Sequence, residues 1–256
     1  MMMTVWISLG VAALTFAFGV AGLCLQKLLP APHTSDRSRD MITAIVGLIS
    51  LLLALVLGTL IGSAYSLYST QKSEMNTFAA RALQLDLALA EFGPETAHTR
   101  AMMKDTLMKV RRMLWWGGEP GAMPPDLSVA EPLKILRETD EDVASLDPKT
   151  PAQRQFAANA AAAASAMEQT RLLISLQLAS PVSWPLVMIV VSWAMILFCG
   201  FGVLSRINPT TVVALGFGAF AVGSALFLIL ELTQPFTGVF RVPSGAFDEM
   251  LASLDQ

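Results

Sequence analysis

Hydrophobic positions along the chain gather into four long runs, residues 5–29, 41–65, 185–204 and 210–232, set two and two around a polar middle. At about 1.5 Å of rise per residue, some 20 apolar residues cover the ~30 Å hydrocarbon layer, so each run predicts a membrane-spanning helix. The first run closes at Lys27-Leu28-Leu29-Pro30-Ala31-Pro32, and a short polar stretch with Asp36, Arg37, Arg39 and Asp40 leads into the second, which makes a hairpin. Ser205-Arg206-Ile207-Asn208-Pro209 joins the last two runs into another, with Asn208 as N-cap and Pro209 as the first helical residue.

The second run has no stop signal at the membrane surface. From Met41 to Phe92 there is no proline, and no glycine after Gly62, so the helix is expected to continue for roughly fifty residues, ~78 Å, and to project into solvent. Its polar part carries a seven-residue repeat, Tyr68, Met75, Ala82 and Leu89 in one register and Gln71, Phe78, Leu85 and Phe92 in the other. We read this as the buried stripe of a helical domain in preference to an intermolecular coiled coil. After Gly93-Pro94, a helix is expected over 95–114, then a loop from Trp115-Trp116-Gly117-Gly118 to Pro125. Ser128 with Glu131 is a capping box for a helix to Leu146, and Thr150-Pro151 with Gln153 opens an alanine-rich helix to about Ala179. No segment alternates with period two over a strand's length, so no sheet is expected.

The expected fold is therefore an all-α membrane protein: a transmembrane hairpin over 1–65, a helical extramembrane bundle over 66–183, a second hairpin over 184–234 and a C-terminal tail over 235–256. Composition agrees, with 54% hydrophobic and 14% charged residues. Between residues 66 and 183 there are 12 Lys/Arg and 14 Asp/Glu, a balance that points away from nucleic acid as a partner. Cys24 and Cys199 both lie in apolar runs and imply no disulfide framework. The opening residues lack the basic region of a secretory signal, so the first run is read as a retained span. Trp184 is placed at a membrane interface and Trp193 at a packing position. Near the spans, Lys27, Arg37, Arg39 and Arg206 on the hairpin side match Lys72, Arg81, Arg171 and Arg241 on the other. Giving short connections more weight puts the hairpin turns in the cytoplasm.

Candidate chemistry is sparse. Small residues recur every fourth position on span two, at Ala54, Gly58, Gly62, Ser66 and Thr70, with Thr59 and Ser63 beside them. Such a face serves close helix packing or, when copies surround an axis, the lining of a polar pathway. Gly216, Gly218 and Gly223 on span four are read as packing contacts. Glu231 is the one ionisable residue in the apolar heart of any span, a position that marks either a functional site or a side chain reaching the surface. Glu138, Asp140, Glu141, Asp142 and Asp147 lack a calcium-loop spacing and are read as a solvated face, and Glu95 with His98 supplies too few ligands for a metal. No metal, cofactor or catalytic site is assigned.

With these residues in hand, the chain resembles the bestrophin-like family of bacterial four-span membrane proteins. The resemblance is carried by Ser183-Trp184-Pro185, Trp193, Phe198 to Gly202, Asn208-Pro209-Thr210 and above all Glu231-Leu232-Thr233-Gln234-Pro235-Phe236-Thr237-Gly238. Tyr68, Gln84-Leu85-Asp86 and Gly93-Pro94-Glu95-Thr96 match the family's long helix after span two. The resemblance implies a multi-pass protein of the bacterial inner (plasma) membrane, a homo-oligomer around a central axis and, by analogy with bestrophins, conduction of anions. It also implies a cytoplasmic middle domain, opposite to the charge weighting. Two features depart from bestrophins: residues 41–64 hold no aromatic residue, and only Asp248, Glu249 and Asp255 follow span four in place of an acidic calcium clasp. The function expected is a channel for small inorganic ions, embedded in lipid, with span two at the axis and the bundle as a vestibule. The alternative is a non-conducting scaffold or sensor, whose contact surfaces would be Trp115-Trp116 and the 68–92 seam.

Overall fold

A computed structural model describes residues 2–28, 36–115, 141–178, 184–234, 236 and 239–254. Among them every regular element is helical: α1 Met2–Leu28, α2 Asp36–Phe92, a 3-10 turn Pro94–Thr96, α3 Ala97–Leu114, α4 Pro151–Leu178, α5 Trp184–Leu204, α6 Pro209–Leu232 and α7 Gly245–Ser253. Four of these, over Met3–Leu28, Arg39–Phe92, Trp184–Leu204 and Pro209–Leu232, are long and apolar enough to cross a membrane. As expected, α2 runs unbroken for 57 residues, about 86 Å. The chain divides into two compact units: Met1–Leu67 with Val182–Gln234 and Gly238–Phe240, and Tyr68–Pro181 with Pro235–Thr237 and Arg241–Gln256.

In the first unit α1 is the central helix, packed on α5 and α6. Glycines allow it. A Cβ on Gly22 would fall on the carbonyl oxygen of Cys199, and one on Gly202 would fall on the carbonyl oxygen of Gly19, so the backbones of α1 and α5 touch at this crossing. On α6 a Cβ at Gly223 would lie 2.8 Å from Ala12 Cβ and 2.9 Å from Ser8 O, and one at Gly218 would lie 2.9 Å from the Phe198 ring. The packing role read for those two glycines holds, and Gly216 is looser, at 3.8 Å from Phe16. Asn208 caps α6 by accepting from the Thr211 N–H at 2.7 Å, with Pro209 next. Arg39 donates to Leu204 O at 3.1 Å, which places its positive charge at the C-terminal, electronegative end of α5. Trp193 packs in the core of this unit, whereas Trp184 is exposed at the start of α5.

The second unit shows where the seven-residue repeat leads. Gln71, Met75, Phe78, Ala82, Leu85, Leu89 and Phe92 are all buried, and Met75 to Leu89 share a core with Met103 and Leu107 of α3 and with Ala160, Ala163, Ala164 and Met167 of α4. The stripe is thus covered by the chain's own helices. Asp86 accepts a two-pronged pair from Arg100 at 2.7 Å, and Arg81 donates to Ala166 O and Thr170 Oγ1, tying α2 to α3 and α4 respectively.

The helix expected from Glu95 begins two residues later. Gly93 takes φ 140 and Pro94 opens a 3-10 turn, which Thr96 closes by donating to Leu89 O at 2.6 Å and Gly93 O at 2.9 Å. At the start of α4, Thr150 Oγ1 accepts from the Gln153 N–H at 3.1 Å and Gln153 Oε1 accepts from the Thr150 N–H at 3.3 Å, the reciprocal cap its spacing predicted. Residues 141–144 are helical; the capping box at Ser128 and Glu131, the pair Trp116-Gly117, Glu138 and Asp140 lie outside the described residues. The segment read as a tail supplies Phe236, Val242, Phe247, Met250 and Leu254 to this core. Trp115, in the turn that follows α3 as expected, donates from Nε1 to Val242 O at 2.8 Å and packs edge-on against Phe236 at 5.8 Å.

Candidate functional site

Two features of the first unit stand out once the packing is known. One is the outer face of α2. Ile42, Val46, Ile49, Leu53 and Val56 join the core that also holds Leu23 of α1, Leu197 and Phe198 of α5 and Leu215 of α6, and a helix that commits one stripe to its neighbours leaves its remaining faces open. Ala54, Gly58, Thr59, Gly62, Ser63 and Ser66 are all exposed. A Cβ added at Gly58 or Gly62 would meet nothing within 4 Å, so no described residue packs on those two glycines. Close helix packing among the described residues falls to Gly19, Gly22, Gly202 and Gly223. Of the most apolar stretch of α2 only 11% is buried, against 28% to 33% for the other three spans. Thr59 Oγ1 donates to Val56 O at 2.9 Å, leaving its oxygen on the open side as an acceptor.

The second feature is Glu231. It lies in the last turn of α6 with 0% exposure, so it does not reach out to the surface. Thr4 Oγ1 donates to its Oε1 at 2.7 Å, and the Val239 N–H donates to its Oε2. Both donors are neutral. The carboxylate thereby joins the start of α1 to the chain leaving α6 within this unit. Of the other motif residues, Gln234 donates from its backbone N–H to Glu231 O at 3.0 Å, and Phe236 belongs to the second unit, buried against Trp115. Asn208 and Pro209 form the cap of α6 at its opposite end; Pro235 and Gly238 lie outside the described residues. The motif residues are thus not one cluster: Glu231 and the Asn208 cap stand at opposite ends of a 24-residue helix.

Thr4 escaped the sequence reading, as did the row it begins. Thr4, Ser8 and Thr15 are all buried, and Ser8 Oγ and Thr15 Oγ1 have no hydrogen-bond partner among the described residues. Their spacing of four and seven residues is the signal that could have been used, because it keeps three hydroxyls on one side of a helix. In the second unit, Asp142 accepts from Thr99 at 3.1 Å, and Asp248 accepts from Arg111 at 2.8 Å and from Ser244 at 2.7 Å. These pairings hold Asp248 below the usual carboxylate range, the Arg111 hydrogen bond being the largest cause.

Comparison with known proteins bears on the whole chain. The sequence profile of the bestrophin-like domain matches residues 13–247. The structure is similar to crystal structures of a bacterial bestrophin homologue from Klebsiella pneumoniae: one point mutant at 15% identity and TM-score 0.61, covering 96% of this chain and 97% of that one, and one solved with zinc phasing at 15% and 0.59, covering 96% and 95%. A proline-to-alanine variant of a membrane protein matches at 14% identity and TM-score 0.64, with 96% of each chain covered. No curated protein matches.

Proposed function

The chain belongs to the bestrophin-like family, and from that premise we propose that it is an oligomeric channel for small ions in the bacterial inner membrane, with α2 facing the common axis and anions as the conducted species by analogy. One observation carries this reading. The helix with the least buried span presents a strip of glycine, alanine and hydroxyl side chains, Ala54 to Ser66, on which no described residue comes within 4 Å of a Cβ at Gly58 or Gly62. Lipid gives no reason to gather hydroxyls and bare backbone on one strip, whereas an axis shared by several copies does, since hydroxyls and backbone dipoles stand in for an ion's hydration shell.

Against the scaffold alternative, the 68–92 seam is covered by α3, α4 and α7, and Trp115 is engaged with Val242 and Phe236; Trp116, the other half of that surface, lies outside the described residues.

Ion flux through liposomes containing the purified protein tests the proposal. Chloride or another small ion is expected to cross, and Gly58→Leu or Gly62→Leu is expected to lower flux or disturb the oligomer while leaving the fold of each chain intact, because both positions are exposed and a Cβ at either meets no described atom within 4 Å. Absence of conductance for any common ion across voltage, pH and calcium rejects it.

A further inference from the structure

The spans α5 and α6 pack chiefly on α1 and meet each other little. Between them, at the hairpin turn, lies a groove of about 380 Å³, within the ~300–1,000 Å³ of small-ligand sites. Its two ends differ in chemistry. Ser205, Asn208, Thr210 and Thr211 line it at the turn and the start of α6, while Phe198, Phe201, Ala214 and Gly218 line it farther along both helices. Both spans end at this turn, which puts the polar end among lipid headgroups. Gly218 lies eight residues beyond Thr210, about 12 Å along the helix, and one leaflet offers ~15 Å of hydrocarbon. The groove thus changes from polar to apolar in the direction, and over the distance, that a phospholipid does.

The polar end can donate hydrogen bonds. Ser205, Thr210 and Thr211 bring hydroxyls, and Asn208 keeps its amide nitrogen, because the bond that caps α6 uses its Oδ1. At the apolar end the Phe198 and Phe201 rings meet edge-on at 6.1 Å, and Phe201 stays 38% exposed. Charge favours an anion. The two hairpin connections carry Lys27, Arg37, Arg39 and Arg206 against Asp36 and Asp40, four bases to two acids. Arg206 directly follows the lining residue Ser205, and Arg39 donates to the carbonyl oxygen of Leu204, which directly precedes it. A free inorganic anion would leave the phenylalanine end of the groove unused, and an uncharged apolar molecule would leave the donors and the excess positive charge unused.

We propose that this groove binds a glycerophospholipid with an anionic headgroup. Phosphate and ester oxygens take the hydroxyls and the Asn208 amide at the polar end, and the upper part of one acyl chain lies along Phe198, Phe201 and Ala214. Basic residues at a span end attract anionic headgroups from within about a Debye length, and the groove converts that attraction into a seat for one lipid. The inference goes beyond ion conduction and holds whether or not the protein conducts.

Native mass spectrometry of the full chain, released from detergent micelles holding equal amounts of phosphatidylglycerol and phosphatidylcholine with the same acyl chains, tests it. Phosphatidylglycerol is expected to stay bound several-fold more than phosphatidylcholine. Arg206→Gln should bring the two close to parity, and Ala214→Phe, which fills the groove, should lower retention of both several-fold. Both positions are exposed, so both variants are expected to fold; should Ala214→Phe fail to do so, Ala214→Leu narrows the same groove. Met188→Phe, on an exposed face of α5 that does not line the groove, should change neither lipid and so distinguishes a seated lipid from the surrounding annulus. Equal retention of the two lipids in the wild type, a preference that survives Arg206→Gln, or retention indifferent to Ala214→Phe overturns the proposal. So does an Ala214→Phe protein that keeps its lipid and loses its assembly mass, because a second copy would then be the occupant.

Discussion

Gly202 and Gly58 are the same residue type on neighbouring spans with opposite jobs. At Gly202 an added methyl would strike the backbone of Gly19, Gly22 and Leu23, atoms that cannot swing aside, so Gly202→Ala should destabilise the first unit by about 3 kcal/mol. Gly58→Ala, facing open space, should instead raise chain stability by about 0.5–1 kcal/mol through helix propensity; melting both variants in detergent checks the contrast. At Asp248 the folded carboxyl is held low by Arg111 and Ser244. A carboxyl depressed on folding adds stability above the unfolded value, about 3.9, and loses it as pH falls through the lower folded value. Both partners are about two-fifths exposed, so the contribution is under ~1 kcal/mol. Stability curves of wild type and Asp248→Asn should therefore differ above pH 4 and converge below it.

The elements owe their ends to local chemistry and their burial to company. The absence of proline or late glycine carries α2 through to Phe92, and Gly93-Pro94 stops it, as the sequence implies. Ser69 is exposed near the middle of that helix, so Ser69→Pro tests continuity without disturbing the core: it should cost about 3 kcal/mol, seen as a lower Tm and reduced helical circular dichroism, while Ser69→Ala stays neutral. The heptad spacing of 68–92 revealed that a stripe would be buried. It said nothing of which helices would cover it, because Met75, Phe78 and Leu85 would pack equally well on a second copy as on α3, α4 and α7.

For the molecule as a whole, the segment after Gln234 is more than an appendage. Val242, Phe247, Met250 and Leu254 are buried in the second unit, and each is worth roughly 1.5–3 kcal/mol. A chain ending at Phe240 should thus lose amide protection throughout α3, with the first unit's helices unaffected; hydrogen exchange followed by mass spectrometry reads both. By itself the sequence determined the four spans, the unbroken second helix, the caps at Asn208 and Thr150, and the all-helical class, since these follow from run length, backbone pairing in lipid and side chains a few residues apart. The tertiary structure alone decided that α1 packs on α5 and α6 through Gly22, Gly202 and Gly223, that the strip on α2 stays open, and that Glu231 meets Thr4 from 227 residues away. Contacts across such separations depend on which faces pack together, and an apolar run with no dominant face leaves that choice to the assembled fold.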